Sequence, residues 1–147
     1  MLIQKTSDKP LGLAKEERPR AGVQHAYETT RKLYRAGVPL IAESDCAGQG
    51  FGVTYGLGVH IEMYLFAHEI GMSPEDVLKS ATSSTAGRFG FEDKGEISVG
   101  IKADLVLVEG DVAVLLSDPN NRCLPLVGVW RDSVLTSVYE QGYPELV

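Results

Sequence analysis

Apolar residues recur at helical spacing across residues 21–36, where Val23, Tyr27, Leu33 and Tyr34 stand among arginines and glutamates. The spacing predicts an amphipathic helix of about four turns, with Gly37 as its C-terminal cap. The next run, residues 38–42 (Val-Pro-Leu-Ile-Ala), is short and apolar on both faces. That is the pattern of a parallel strand covered on both sides, and Pro39 is tolerable near its start. Residues 59–70 are apolar around most of a helical circumference through Ile61, Met63, Tyr64, Leu65, Phe66 and Ala67, which predicts a helix buried between two layers and ended by Gly71. Ser73-Pro74-Glu75-Asp76 then places an N-cap, a proline at the first helical position and acids in the first turn of a helix running to about residue 81. Thr82 opens a further short helix that ends near Gly90.

Beyond Gly95 the pattern changes. Residues 103–108, 126–131 and 134–139 are β-rich runs, divided by Gly110-Asp111, by residues 118–121 (Asp-Pro-Asn-Asn) and by Asp132-Ser133. The chain therefore reads as α/β passing into mostly β. Residues 1–19 show no sustained period and read as an irregular segment. With no internal repeat, low-complexity tract or flexible linker between them, the helical and β-rich parts are expected to pack together.

Composition narrows the possible roles. The 147 residues, 44% of them apolar, suffice for one ordinary domain with a core. Fourteen basic against twenty acidic side chains give a net charge of -6, so nucleic acid is not an expected partner. No apolar stretch approaches the roughly 20 residues of a membrane span, and the first ten residues lack the apolar centre of a signal peptide. A cytoplasmic location follows as an expectation, and Cys46 and Cys123, which form no CxxC pair, fit reduced thiols.

Candidate chemistry centres on Asp45, a carboxylate at the end of the apolar run 37–45, with a loop of five glycines over residues 47–58 behind it. The loop has neither Gly-x-Gly-x-x-Gly nor a Gly-Lys-Ser/Thr ending, so it reads as an active-site flap rather than a phosphate cradle. Asp45 suits a metal ligand or catalytic base, or an acid capping nearby backbone amides. Glu43, two residues earlier, either shares its side of the strand or turns out to solvent. A metal would need further ligands, and the three histidines, His25, His60 and His68, are not at ligand spacing. His60, near the start of a helix, either faces a substrate or is a hydrogen-bonded structural residue; His25 and His68 read as surface or packing residues. His60-Ile61-Glu62 has the His-x-Glu of zinc deaminases, but the Pro-Cys-x-x-Cys that must accompany it is missing.

Residues 37–45 (Gly-Val-Pro-Leu-Ile-Ala-Glu-Ser-Asp), His60 with Glu62, residues 73–82 (Ser-Pro-Glu-Asp-Val-Leu-Lys-Ser-Ala-Thr) and residues 95–108, with Gly100-Ile-Lys-Ala-Asp-Leu as the most specific piece, together resemble the metal-dependent amidohydrolases. The similarity is to their imidazolonepropionase and dipeptidase-like branch and covers roughly residues 20–139. The resemblance implies a (β/α) barrel with a small β-sandwich and hydrolysis of carbon-nitrogen bonds in a small-molecule substrate by metal-activated water, with zinc as the divalent metal. A barrel takes about 250 residues, so this chain is expected to be the C-terminal portion: an irregular segment over 1–19, the last strand-helix portion of the barrel over 20–95 and part of the sandwich over 96–147.

The resemblance gives Asp45 the catalytic and metal-binding roles of the last-strand aspartate and His60 a substrate-binding one. Lys102 and Asp104 mark the return into the sandwich and receive structural roles. The family's His-x-His on the first strand, its lysine or glutamate on the fourth and its histidines on the fifth and sixth have no counterpart here. The expectation is therefore a fragment inactive alone, that binds catalytic metal weakly; the alternatives are an interaction or structural remnant that self-associates, or half of a split hydrolase with a complementing chain.

Overall fold

A computed structural model describes residues 22–44 and 56–136. Asp45, Cys46, residues 47–55 of the glycine loop, the N-terminal segment to residue 21 and the chain beyond Thr136 lie outside the described residues. The described residues form a mixed α/β structure of short helices and one small antiparallel sheet.

The first helix, α1 (Val23–Arg35), follows the amphipathic pattern. Gly37 takes φ +77, the left-handed conformation that a side chain disfavours, and the Val38 N–H then turns back to the Leu33 carbonyl at 3.0 Å. The expected strand over residues 38–42 pairs with no neighbour among the described residues. A strand exists only through its ladder, and here the segment has none beside it. It is fastened instead by the Ala42 N–H, which donates to the Ser80 carbonyl at 3.0 Å, and by burial of Ala42 in the core.

Helix α2 (Leu57–Leu65) runs into a π-helical turn, Phe66–Ile70, which ends at Gly71 with φ +80. Helix α3 (Pro74–Ala81) begins as its sequence dictates: the Asp76 N–H donates to Ser73 Oγ at 3.1 Å, and the Ser73 hydroxyl donates to Asp76 Oδ2 at 2.8 Å. Helix α4 (Ser83–Phe89) stops at Gly90, φ +73. The core is helical. Met63, Phe66, Ile70, Met72 and Val77 are buried together, with Tyr27, Tyr34 and Leu40 packed around them. The Tyr34 hydroxyl also donates to Asp76 Oδ2 at 2.6 Å, tying α1 to α3.

Strands β1 (Leu105–Val108), β2 (Leu126–Arg131) and β3 (Val134–Leu135) form an antiparallel sheet in the order β1-β2-β3, with Leu105 opposite Trp130 and Val106 opposite Val129. The Asp132-Ser133 turn between β2 and β3 has positive φ at both residues, 49° and 67°, as a two-residue hairpin requires. Asp104 Oδ1 accepts from the Asp132 N–H at 2.8 Å, while its other oxygen accepts from Lys94 Nζ at 3.0 Å and Lys102 Nζ lies 2.7 Å from Asp93. Asp104 thus ties the loop after α4 to the hairpin turn, while Lys102 braces that loop internally through Asp93.

A fifth helix, α5 (Val112–Ser117), lies between β1 and β2, where the sequence pattern predicts only a turn at Gly110-Asp111. Asp111 caps it through Oδ1, accepting from the N–H groups of Ala113 at 2.8 Å and Val114 at 3.3 Å. Leu116 carries the helix into the core.

Candidate functional site

Helix α2 sets His60 one turn before Tyr64, facing the segment that leads into β2. The Leu124 N–H donates to His60 Nδ1 at 3.2 Å. An imidazole nitrogen that accepts carries no hydrogen, so in the neutral ring Nε2 holds the proton and remains the donor available to a ligand. His60 is half-buried, and that burial pushes its pKa below the ordinary histidine value. Burial thus favours the neutral ring.

His60 borders an open depression with Met63, Tyr64 and Leu116 on one side and residues 121–124 on the other. The Arg122 guanidinium lies 5.5 Å from the centre of the Tyr64 ring, within cation-π range, and the Tyr64 hydroxyl donates to the Pro119 carbonyl at 3.2 Å. The Asn121 amide donates to the Leu115 carbonyl at 3.1 Å, and Cys123 is an exposed free thiol. Asn121, Arg122 and Leu124 are not among the residues that the sequence singles out. A charged residue in a polar turn gives no local sign of a helix some sixty positions earlier.

Glu62, on the same helix as His60, has its carboxyl pKa raised, first by burial and then by the negative charge of Glu43. Glu43 itself is exposed. The two carboxylates are thus electrostatic neighbours although nineteen positions separate them in the chain, and Glu62 holds a proton more readily than a surface glutamate. His68 stacks against Tyr64, ring centres 4.5 Å apart, with its Nε2 buried and unpartnered, and His25 is exposed on α1.

The histidines do not converge. Among the described residues no group of three or more His, Cys, Asp or Glu side chains could hold a metal ion, so the donor set that the family's metal requires is not supplied by them. Asp45, to which the resemblance assigns the catalytic and metal roles, lies outside the described residues. No helix among those described is long and apolar enough to cross a membrane.

A family model described as the amidohydrolase family matches residues 8–132. The chain belongs to the amidohydrolase family. Within it the similarity is to imidazolonepropionases: the chain is 32% identical to that of Streptomyces coelicolor over 71% of this chain and 26% of the relative. It is likewise 32% identical to that of Streptomyces griseus, over 69% of this chain and 25% of the relative, and to that of Cutibacterium acnes, over 54% and 19%. The chain spans about a quarter or less of the length of the curated relatives it matches. No solved structure matches it.

Proposed function

We propose that this amidohydrolase-family chain is the C-terminal portion of a hydrolase that cleaves carbon-nitrogen bonds in a small-molecule substrate, and that it is inactive by itself. The observation that carries the reading is the family match joined to its extent: the family model matches residues 8–132, yet the chain covers only about a quarter of relatives named as imidazolonepropionases. On this reading residues 20–95 are the last strand-helix portion of a (β/α) barrel and residues 96–147 a part of its β-sandwich. The sheet supports it, because both its faces are apolar while it supplies no side chain to the buried core among the described residues.

Asp45 has the proposed role of the catalytic and metal-binding carboxylate, at the end of the run that the barrel would use as its final strand. His60 has the proposed role of substrate contact through Nε2–H. Metal-activated water is the family's chemistry, and zinc its expected divalent ion, but the other ligands would come from sequence that has no counterpart here. A half of a split hydrolase, completed by another chain, is the second reading; the exposed apolar sheet favours it over a self-sufficient remnant. The net charge argues against nucleic acid, and cytoplasmic location is part of the proposal.

Metal analysis and an imidazolonepropionate hydrolysis assay on the purified chain decide between an active and an inactive body. We expect no stoichiometric zinc and no turnover. One tightly held zinc per chain, together with hydrolysis that Asp45→Ala abolishes, would overturn the inactive reading. Turnover restored only by a co-purifying polypeptide with His-x-His would establish the split form.

A further inference from the structure

We infer that His60 is a proton-released latch that fastens the segment leading into β2 to helix α2 at Leu124 while neutral and gives up that bond when protonated. Residues 118–125 are tied to the helical body by three side-chain hydrogen bonds: Tyr64 hydroxyl to the Pro119 carbonyl, Asn121 amide to the Leu115 carbonyl, and Leu124 N–H to His60 Nδ1. In the first two bonds the side chain acts as a donor; only in the third is it an imidazole, the side chain whose charge changes near neutrality. That bond is also the one in which the imidazole must accept. Protonation puts a hydrogen on Nδ1 and sets two donors face to face, which removes the bond and leaves the Leu124 N–H without that acceptor.

The depression offers an imidazolium no opposite charge among the described residues that line it. From α2 the depression receives Tyr64, from α5 only the apolar Leu116, and from the lead segment Arg122 and Cys123; no carboxylate lines it among the described residues. Burial already holds the ring toward its neutral form. The signs agree. A histidine whose folded pKa is lowered binds protons better when released, so the latch is fully closed above the ordinary histidine pKa and is lost as pH falls through the lowered value. The sheet has no buried side chain of its own in the helical core. Loss of this bond therefore loosens the lead locally at Leu124, which stays packed against the core and flanked by the Tyr64 and Asn121 bonds, while Phe66, Ile70 and Val77 keep the helices together.

Amide hydrogen exchange followed by NMR, corrected for the intrinsic pH dependence of exchange, tests this on the whole chain at about pH 7.5 and about pH 5, on either side of the histidine range. Protection of the Leu124 amide is expected to fall about tenfold at the lower pH, while Val77 is unchanged. His60→Asn offers an acceptor oxygen near the place of Nδ1 that does not titrate, and is expected to stay protected at both. Equal Leu124 protection at both pH values while the His60 ring is seen to titrate would overturn the latch, as would an equal loss in His60→Asn. Should that variant fail to fold, the ring nitrogen shifts of the native chain decide: Nδ1 unprotonated at neutral pH is required, and the opposite tautomer excludes the proposal.

Discussion

The helical body and the sheet both carry large apolar side chains but are stabilised very differently. In α2, its π-helical turn and α3, one stripe turns inward, so Met63, Phe66, Ile70 and Val77 leave water almost completely, Val77 with no exposure at all. In the sheet both faces are apolar: Leu105, Leu107 and Trp130 share one, Val106 and Val129 the other, yet Leu107 is 51% and Val106 58% exposed. An antiparallel sheet that faced water on one side would show polar residues there. The helices thus hold themselves by burial, whereas the sheet relies on its ladder, its hairpin turn and the ties made by Asp104 and His60. Apolar sequence stabilises only where something covers it.

Paired truncations give the largest separation between the two regions. Phe66→Ala is expected to cost about 3–5 kcal/mol, a large part of a domain's whole stability, read as a lowered urea midpoint by far-ultraviolet circular dichroism. Val127→Ala, in the half-exposed strand β2, should stay within about 0.5 kcal/mol. Trp130 is the single tryptophan and lies in the sheet, so its fluorescence reports that region separately. Equal costs for the two variants would break the comparison.

Gly95 joins the two regions. Its φ is +100, and a side chain there would bring its Cβ to 2.5 Å from the Cβ of Ala86, so Gly95→Ala meets both backbone strain and a clash with α4. The strain alone is about 1–3 kcal/mol, and thermal unfolding should show a loss at least that large. A variant as stable as the native chain would mean that α4 and the loop do not pack as described.

Asp111→Ala removes the cap of α5, the short helix through which the β-rich half reaches the core at Leu116. A loss of about 0.5–2 kcal/mol is expected, and amide exchange at Ala113 and Val114 should accelerate before that of α3. Uniform acceleration across the chain would show α5 to be no weaker than the rest.

The smallest effect is one of pH. The Asp76 carboxyl is held below the ordinary carboxylate range, chiefly by the Tyr34 hydroxyl and next by Ser73. Its folded pKa is the lower one, so its contribution is complete above the unfolded value and disappears as acidification passes through the lowered value. Because the group is near the surface, solvent screens it and the loss is small. Asp76→Asn should flatten the acid limb of a stability-against-pH curve; an unchanged limb would show that the pair does not matter.

Much of the helical half is legible in the amino-acid sequence. Gly37, Gly71 and Gly90 punctuate helices where the pattern predicts their ends, and Ser73-Pro74 opens α3, because caps are local hydrogen bonds between residues a few positions apart. The β-rich runs over 103–108 and 126–131 likewise contain strands β1 and β2. Helix α5 escapes the pattern although Asp111 before Val112-Ala-Val-Leu-Leu is a legible cap, since the Gly-Asp pair also fits a turn. Residues 38–42 have the composition of a strand, and composition cannot supply a neighbour.

By itself the sequence determined the family, through residues 37–45, 73–82 and 95–108, and the order of most of its helices and strands. Those features are short-range or carried by residue identity, so they survive in a chain about a quarter the length of its relatives. Only the tertiary structure decided that His60 accepts from Leu124, sixty-four positions away, that Glu43 acts on Glu62, and that the apolar sheet is left largely uncovered. Each depends on which distant segments come together, and that is set by the burial of the whole chain.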